Sequence, residues 1–244
     1  MFRKLALLPT LCLTGLLLAA CAATSQQTGT QNGPQIGQQP ANPSQAATLV
    51  RDAAVTLREL RAASPHRELD HWLAGARAVV VLPGVYRAGF FYSLHGGSGV
   101  VVARRADGNW SSPAFLSMGG AGFGIQAGLE RARVILVVLE DTALEQLLAG
   151  GPDFATNAMF DVVGVREHMG PDSRTRGKPI IAFTDGFGIM AGAALHLGAL
   201  GQARGLNASY HGPDLAEGEA VLGSGSAPGL EVFELWEALL PARP

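Results

Sequence analysis

The sequence predicts an α+β domain: N-terminal helices packed on a glycine-rich, mainly antiparallel curved sheet or barrel-like β core, with short helices in the C-terminal half. Three observations carry this. Apolar residues recur at helical spacing as far as Leu73. After Gly75 they change to short apolar or alternating runs, the signature of strands. Glycine is dense, 32 in 244 residues, and inside strands it marks bends, bulges or close backbone contacts.

The chain opens with Arg3 and Lys4, an apolar run over residues 5–20, and Leu-Ala-Ala before Cys21. A basic start, an apolar middle and small residues at a cleavage point read as a secretory signal, residues 1–20. The run is shorter than the roughly 20 residues a membrane-spanning helix needs. Leu-Ala-Ala-Cys resembles the motif cut in bacterial lipoprotein precursors, which implies lipid attachment at Cys21 and passage through the lipoprotein processing and sorting machinery. Ala22, rather than aspartate, follows, and in the Gram-negative lipoproteins this start resembles that implies the outer membrane, with the protein facing the periplasm. Stable anchoring takes more than one acyl chain, as such lipidation supplies.

Residues 21–45 are the lipidated cysteine and a tether of Gln, Thr, Ser, Asn, Pro and Gly without charge, a composition that cannot bury enough surface to fold. As a flexible coil it would span roughly 25 Å. Residues 46–244 are expected to form one domain, since no second linker of this kind interrupts them.

Within it, Val50, Ala53, Leu57 and Leu60 predict a helix over residues 46–62, flanked by Arg51, Arg58, Asp52 and Glu59. Ser64 and Pro65 supply a cap and a first turn for a second helix carrying Leu69, Trp72 and Leu73. Strands are expected over residues 78–82, 89–94, 99–105, 121–129, 133–139, 179–183 and 187–197, with a turn at Asp107, Gly108 and Asn109. His95, Gly96 and Gly97 read as a glycine-rich hairpin turn. Thr142 and Glu145 form a capping-box pattern opening a short helix closed by Gly150. Further helices are expected over residues 214–222 and 229–240. The heptapeptide GFGIQAG at residues 122–128 returns as GFGIMAG at 186–192, six of seven positions identical, and reads as two equivalent strands that cross at close approach.

Composition and spacing argue against several chemistries. Cys12 leaves with the signal and Cys21 carries lipid, so no thiol chemistry remains. Loss of Arg3 and Lys4 leaves 16 basic residues against 20 acidic, a net charge of −4, with Lys178 the one remaining lysine; that balance does not serve nucleic-acid binding. Gly122, Gly124 and Ala127 follow a dinucleotide-binding pattern, but only about nine residues separate it from the Val134 strand, too few for a crossover helix. No Gly-x-Ser-x-Gly elbow accompanies His95, and the six histidines show no metal-binding spacing. Neither catalytic residues nor a cofactor are expected.

The series AGARAVVVLP at residues 74–83, Gly89 with Phe90, GGSGVVVAR at 96–104, GNWSSPAF at 108–115, GIQAG at 124–128, GFGIMAG at 186–192 and NASYHG at 207–212 resembles the SYLF domain family. That resemblance implies phospholipid or amphiphile binding without catalysis, and in eukaryotic relatives phosphoinositide recognition through an N-terminal amphipathic helix. The matching helix here, residues 46–62, has mixed charge, which speaks against polyphosphoinositides. Phe183, Thr184 and Asp185 stand where relatives carry an aromatic, a serine and a basic residue. On this reading Arg51, Leu57, Arg58, Arg104, Arg105 and Lys178 are the candidate lipid-binding residues, and membrane phospholipid is the partner. The rival is an envelope protein that self-associates into a homo-oligomer through its glycine-rich strands and binds no lipid.

Overall fold

The computed structural model describes residues 42–64, 67–89, 92–123, 128–150, 160–164, 177–185, 198–215, 217–218, 222–223 and 228–241. They fall within one compact unit, Gln38–Pro244.

Helix α1 spans Pro43–Ala63. It begins three residues before the expected boundary because Asn42 caps it, its Oδ1 accepting from the Ser44 N–H at 3.0 Å, with Pro43 at the first helical position. Its stripe of Ala46, Val50, Ala53, Ala54, Leu57 and Leu60 is fully buried. Helix α2, Glu68–Ala74, follows Arg67, whose backbone is left-handed at φ 57°. Ser64 is thus not the residue adjoining α2; it ends α1, and its hydroxyl accepts from the Leu69 N–H across five residues.

Strands β1 (Ala78–Gly89), β2 (Tyr92–Ala103), β3 (Ala114–Phe123), β4 (Gly128–Val138), β5 (Phe160–Gly164), β6 (Ile180–Thr184) and β7 (Gly198–Gln202) form one sheet. Their order is β5-β6-β4-β1-β2-β3-β7, antiparallel throughout except for β5 beside β6. Of the two β cores anticipated, the described residues form the open sheet, with β5 and β7 at its ends among them. Helix α3 is Asp141–Ala149, α4 Arg204–His211 and α5 Leu230–Leu239, with a 3-10 turn at Pro213–Leu215.

The central strands are apolar at consecutive positions because both faces are covered. Val79, Val81, Val100, Val102, Ile135 and Val137 face α1, α2 and α5. Val80, Leu82, Val101, Leu116, Leu136 and Ile180 face the other way, against Ala143, Leu147 and Leu148 of α3.

Several expectations change. The runs expected at residues 89–94 and 99–105 share one strand, β2, from Tyr92 to Ala103, with His95, Gly96 and Gly97 inside it, while Gly89 ends β1. β1 bulges between Val81 and Gly84 against β2, and a Cβ on Gly97 would run into the Gly84 carbonyl, so this glycine serves close approach and not a turn. The run at 121–129 is likewise not one strand: β3 ends at Phe123 and β4 starts at Gly128, so the first heptapeptide copy reaches from the end of one strand to the start of another, and the two are not paired, with β1 and β2 between them in the sheet. The second copy, and the strand expected over 187–197, lie outside the described residues. Helix α3 starts one residue before Thr142 and its cap residue is Glu140, which makes no side-chain cap bond, so no capping box forms. Of the helix expected over 214–222, residues 214 and 215 belong to the 3-10 turn, while residues 218 and 222 are helical as expected; α4 was not anticipated.

Candidate functional site

Where α2, the β2–β3 turn and α5 meet, the surface opens into a cleft of about 810 Å³. Each wall follows from local sequence. Arg105, Asp107 and Asn109 make the expected turn: Asp107 Oδ1 accepts from the Asn109 N–H at 2.9 Å, and Gly108 takes φ 84°. The turn returns the chain so that Arg104 bridges to Trp110. The Arg104 guanidinium stands 4.3 Å over the Trp110 ring and donates to the carbonyls of Ala76 at 3.1 Å, Gly108 at 3.3 Å and Leu73 at 3.4 Å.

Arg61, in the last turn of α1, holds the opposite side. Its Nε meets Asp70 Oδ1 at 2.6 Å, and its Nη1 donates to the carbonyls of Ala238 and, at 2.9 Å, Leu240. It thereby satisfies carbonyls at the end of α5 that have no partner within the helix. Arg67 Nε reaches the other oxygen of Asp70 at 2.8 Å. Burial by itself raises the Asp70 carboxyl, but hydrogen bonds and charge from Arg67 and Arg61 outweigh it and hold the pKa below its ordinary value.

From α5, Trp236 donates its indole N–H to the Ser111 carbonyl at 2.9 Å, and Phe233 packs edge-to-face on it at 5.4 Å. Phe233 and Leu240 remain 53% and 56% exposed at the cleft's lip, and Leu230, further along α5, is 82% exposed. The cleft therefore has apolar walls of Leu73, Trp110, Trp236 and Leu239, with a rim of four arginines against the three carboxylates of Asp70, Asp107 and Glu237. Apolar walls with a few placed polar groups are the usual make-up of a small-molecule site.

The sequence-derived candidates divide. Arg104 and Arg105 line the cleft, Arg105 with its Nε 4.0 Å from Asp107. Arg51 and Arg58 are exposed on α1 away from it, Arg51 lying 3.9 Å from Glu231 of α5. Leu57 is fully buried against the sheet, because it belongs to the apolar stripe and not to the charged flank; it has no surface to offer a lipid. Lys178 is half-buried in the turn before β6, and Cys21 lies outside the described residues. Asp185, the departure noted above, has a structural partner: it accepts from the Arg133 backbone N–H at 2.9 Å and from its Nε at 2.6 Å, while Arg133 also pairs with Glu59 of α1.

Arg61, Arg67, Trp110, Phe233, Trp236 and Leu240 were not singled out from sequence as site residues. The available signal was the aromatic spacing of Phe233 and Trp236, which reads equally well as a core stripe.

Among the described residues no group of three or more His, Cys, Asp or Glu is placed to hold a metal ion. No described helix is long and apolar enough to cross a membrane.

Comparison with known proteins adds the lineage. No solved structure matches the chain. Human SH3 domain-containing YSC84-like protein 1 is 27% identical over 204 residues, covering 81% of this chain and 59% of that protein. The mouse protein of the same name is 28% identical over 205 residues, with the same coverage. Protein YSC84 of Saccharomyces cerevisiae is 29% identical over 136 residues, 52% of this chain and 28% of its own length. The chain thus spans about three fifths of the length of the animal relatives. The family model described as "Ysc84: Las17-binding protein actin regulator" matches residues 119–242, half of the chain, and together with these relatives it makes the chain a member of the Ysc84 family, the SYLF-domain family its motif series resembles.

Proposed function

We infer that this protein is a non-catalytic lipid-binding module of the bacterial envelope, held at the outer membrane by acyl chains on Cys21, facing the periplasm and binding phospholipid or a related amphiphile. The observation that carries the reading is the composition of the cleft: aromatic and aliphatic walls beneath an arginine-bearing rim. Its volume falls within the several hundred to about 1,000 Å³ typical of sites that enclose a small ligand, enough for a headgroup and the first part of a chain. The family's description names Las17 binding and actin regulation, properties of the proteins it was drawn from. A periplasmic destination would put this chain out of reach of actin, which favours the lipid half of the family's repertoire.

The test is co-sedimentation of residues 38–244 with vesicles of envelope phospholipids, paired with light scattering. Vesicle binding by a monomer supports the reading. An oligomer that binds none of the lipids would favour the self-associating envelope protein instead.

A further inference from the structure

The resemblance assigns membrane contact to the N-terminal helix, but here that helix has no apolar face left to give. Ala46, Val50, Ala53, Ala54, Leu57 and Leu60 are all fully buried, and its outward side carries Arg51, Asp52, Arg58 and Glu59 around a single exposed apolar residue, Val55. Inserting α1 into a bilayer would require lifting it off the sheet.

α5 presents the opposite picture. Its inner side is in the core through Val232, Leu235, Ala238 and Leu239, while Leu230, Phe233 and Leu240 are each more than half exposed. At 100° per residue Leu230 and Phe233 fall within one arc of about 60°, and Leu240 is the capping residue just past the helix's last turn. They form an outward apolar edge, and two of them, Phe233 and Leu240, are also the lip of the cleft. An apolar edge running into an amphipathic cleft is the shape of a site that takes a headgroup while neighbouring side chains enter the acyl region.

The rim's charge selects among lipids. Arg61 and Arg104 are engaged with backbone carbonyls, while the half-exposed Arg67 and Arg105, paired with Asp70 and Asp107, are the cations nearest solvent. Asp107 and Glu237 stand on the same rim. Four arginines against three carboxylates give a single excess positive charge, a poor match for a polyphosphorylated headgroup. A phosphate joined to an ammonium finds both donors and acceptors there.

We propose that the domain docks on the bilayer through Leu230, Phe233 and Leu240 of the α5 edge, and that the adjoining cleft takes the headgroup of a zwitterionic phospholipid. The proposal rests on the lipid-binding reading and adds where and to which headgroup class the domain binds.

The experiment uses residues 38–244, which contain every residue of both apolar cores. Their partition is measured onto phosphatidylethanolamine–phosphatidylcholine vesicles, and onto the same vesicles doped with phosphatidylglycerol or with a phosphoinositide bisphosphate. The expected result is binding to the undoped vesicles that changes little with either anionic lipid or with salt. Phe233→Asp and Leu240→Asp each lower the partition coefficient on the order of tenfold, the effect of keeping one large apolar side chain out of the bilayer. Arg51→Ala with Arg58→Ala leaves it unchanged.

Brominated acyl chains provide a readout that needs no surface variant: they quench the wild-type tryptophan fluorescence, and Trp236→Phe removes most of that quenching. Wild-type binding that survives both aspartate substitutions, or is lost only in the α1 variant, overturns the docking surface while leaving lipid binding intact. Binding confined to anionic vesicles overturns the headgroup assignment. No binding to any vesicle overturns the lipid reading itself, and the proposal with it.

Discussion

Leu57 and Arg104 show how differently two candidate residues act once their surroundings are known. Leu57 is wholly enclosed by the sheet and neighbouring helices, so Leu57→Ala should cost about 2–5 kcal/mol of stability in denaturant unfolding. Its vesicle affinity per folded molecule should not change. Arg104 holds three carbonyls and the Trp110 face, and Arg104→Ala strands those acceptors beside a buried indole. That variant should lose on the order of 1–3 kcal/mol, against within about 0.5 kcal/mol for the exposed Arg105→Ala. The helical period located Leu57 and its stripe, but only the tertiary neighbours decide whether a stripe meets a core or a membrane. Arg104 and Arg105 were legible as cations at a strand end beside a turn. Arg61 was not, because its partners on α5 lie 177 and 179 residues away.

Two imidazoles add a pH dependence. His95 is buried within β2, and burial followed by the charge of Arg87 holds its pKa below the ordinary value; burial does the same to His211, opposed by its contact with the Pro113 carbonyl. The unfolded chain takes up these protons near pH 6.5 and the folded chain only at lower pH, so unfolding binds more protons across that window. Stability should be flat above about pH 7 and fall as pH drops through 6.5 toward the folded-state values. Thermal melts at pH 7.5 and 5.5 check this: wild type should melt lower at pH 5.5, and His95→Leu should narrow the gap. Equal melting temperatures for wild type at both pH values would contradict it.

At the scale of elements, β2 is the instructive case. Glycine in sequence signals either a turn or close approach, and the choice depends on a partner strand that the local sequence does not show. Gly97 and Gly99 lie against the backbone of β1 at its bulge, where a Cβ would collide with the carbonyls of Gly84 and Val81. Gly97→Ala should therefore destabilise the sheet by about 1–3 kcal/mol, as overpacking does, although alanine has the higher strand propensity. A neutral or stabilising Gly97→Ala, read from the same unfolding curves, would show that the strands can part without cost. The break between β3 and β4 escaped the sequence reading for a related reason: residues 121–129 are apolar and glycine-rich apart from Gln126, so little in their composition marks it. Elements with a clear local signal fared better, as α1 and α5 did from their stripes and the β2–β3 turn did from Asp107, Gly108 and Asn109.

For the whole molecule, both faces of the sheet are occupied, so ligand contact falls to the periphery, where α2, the β2–β3 turn and α5 converge. The anchor inferred at Cys21 would supply residence at the membrane, so the domain itself needs only modest affinity for what it meets there. This division of labour accords with a net negative chain whose site carries a nearly balanced rim. It also explains why motif-level resemblance was enough to reach the family while only Arg104 and Arg105 of the site were legible: the motifs mark strands and turns of the sheet, whereas the cleft is assembled from ends of elements far apart in the chain. The central claim is that the cleft holds a phospholipid, and native mass spectrometry of residues 38–244 purified from a bacterial envelope without detergent tests it most directly. The account expects one co-purifying phospholipid per domain, displaced in a Trp110→Asp, Trp236→Asp variant that still folds. A folded wild-type domain that carries no lipid, and takes none up from added phospholipid, would contradict it.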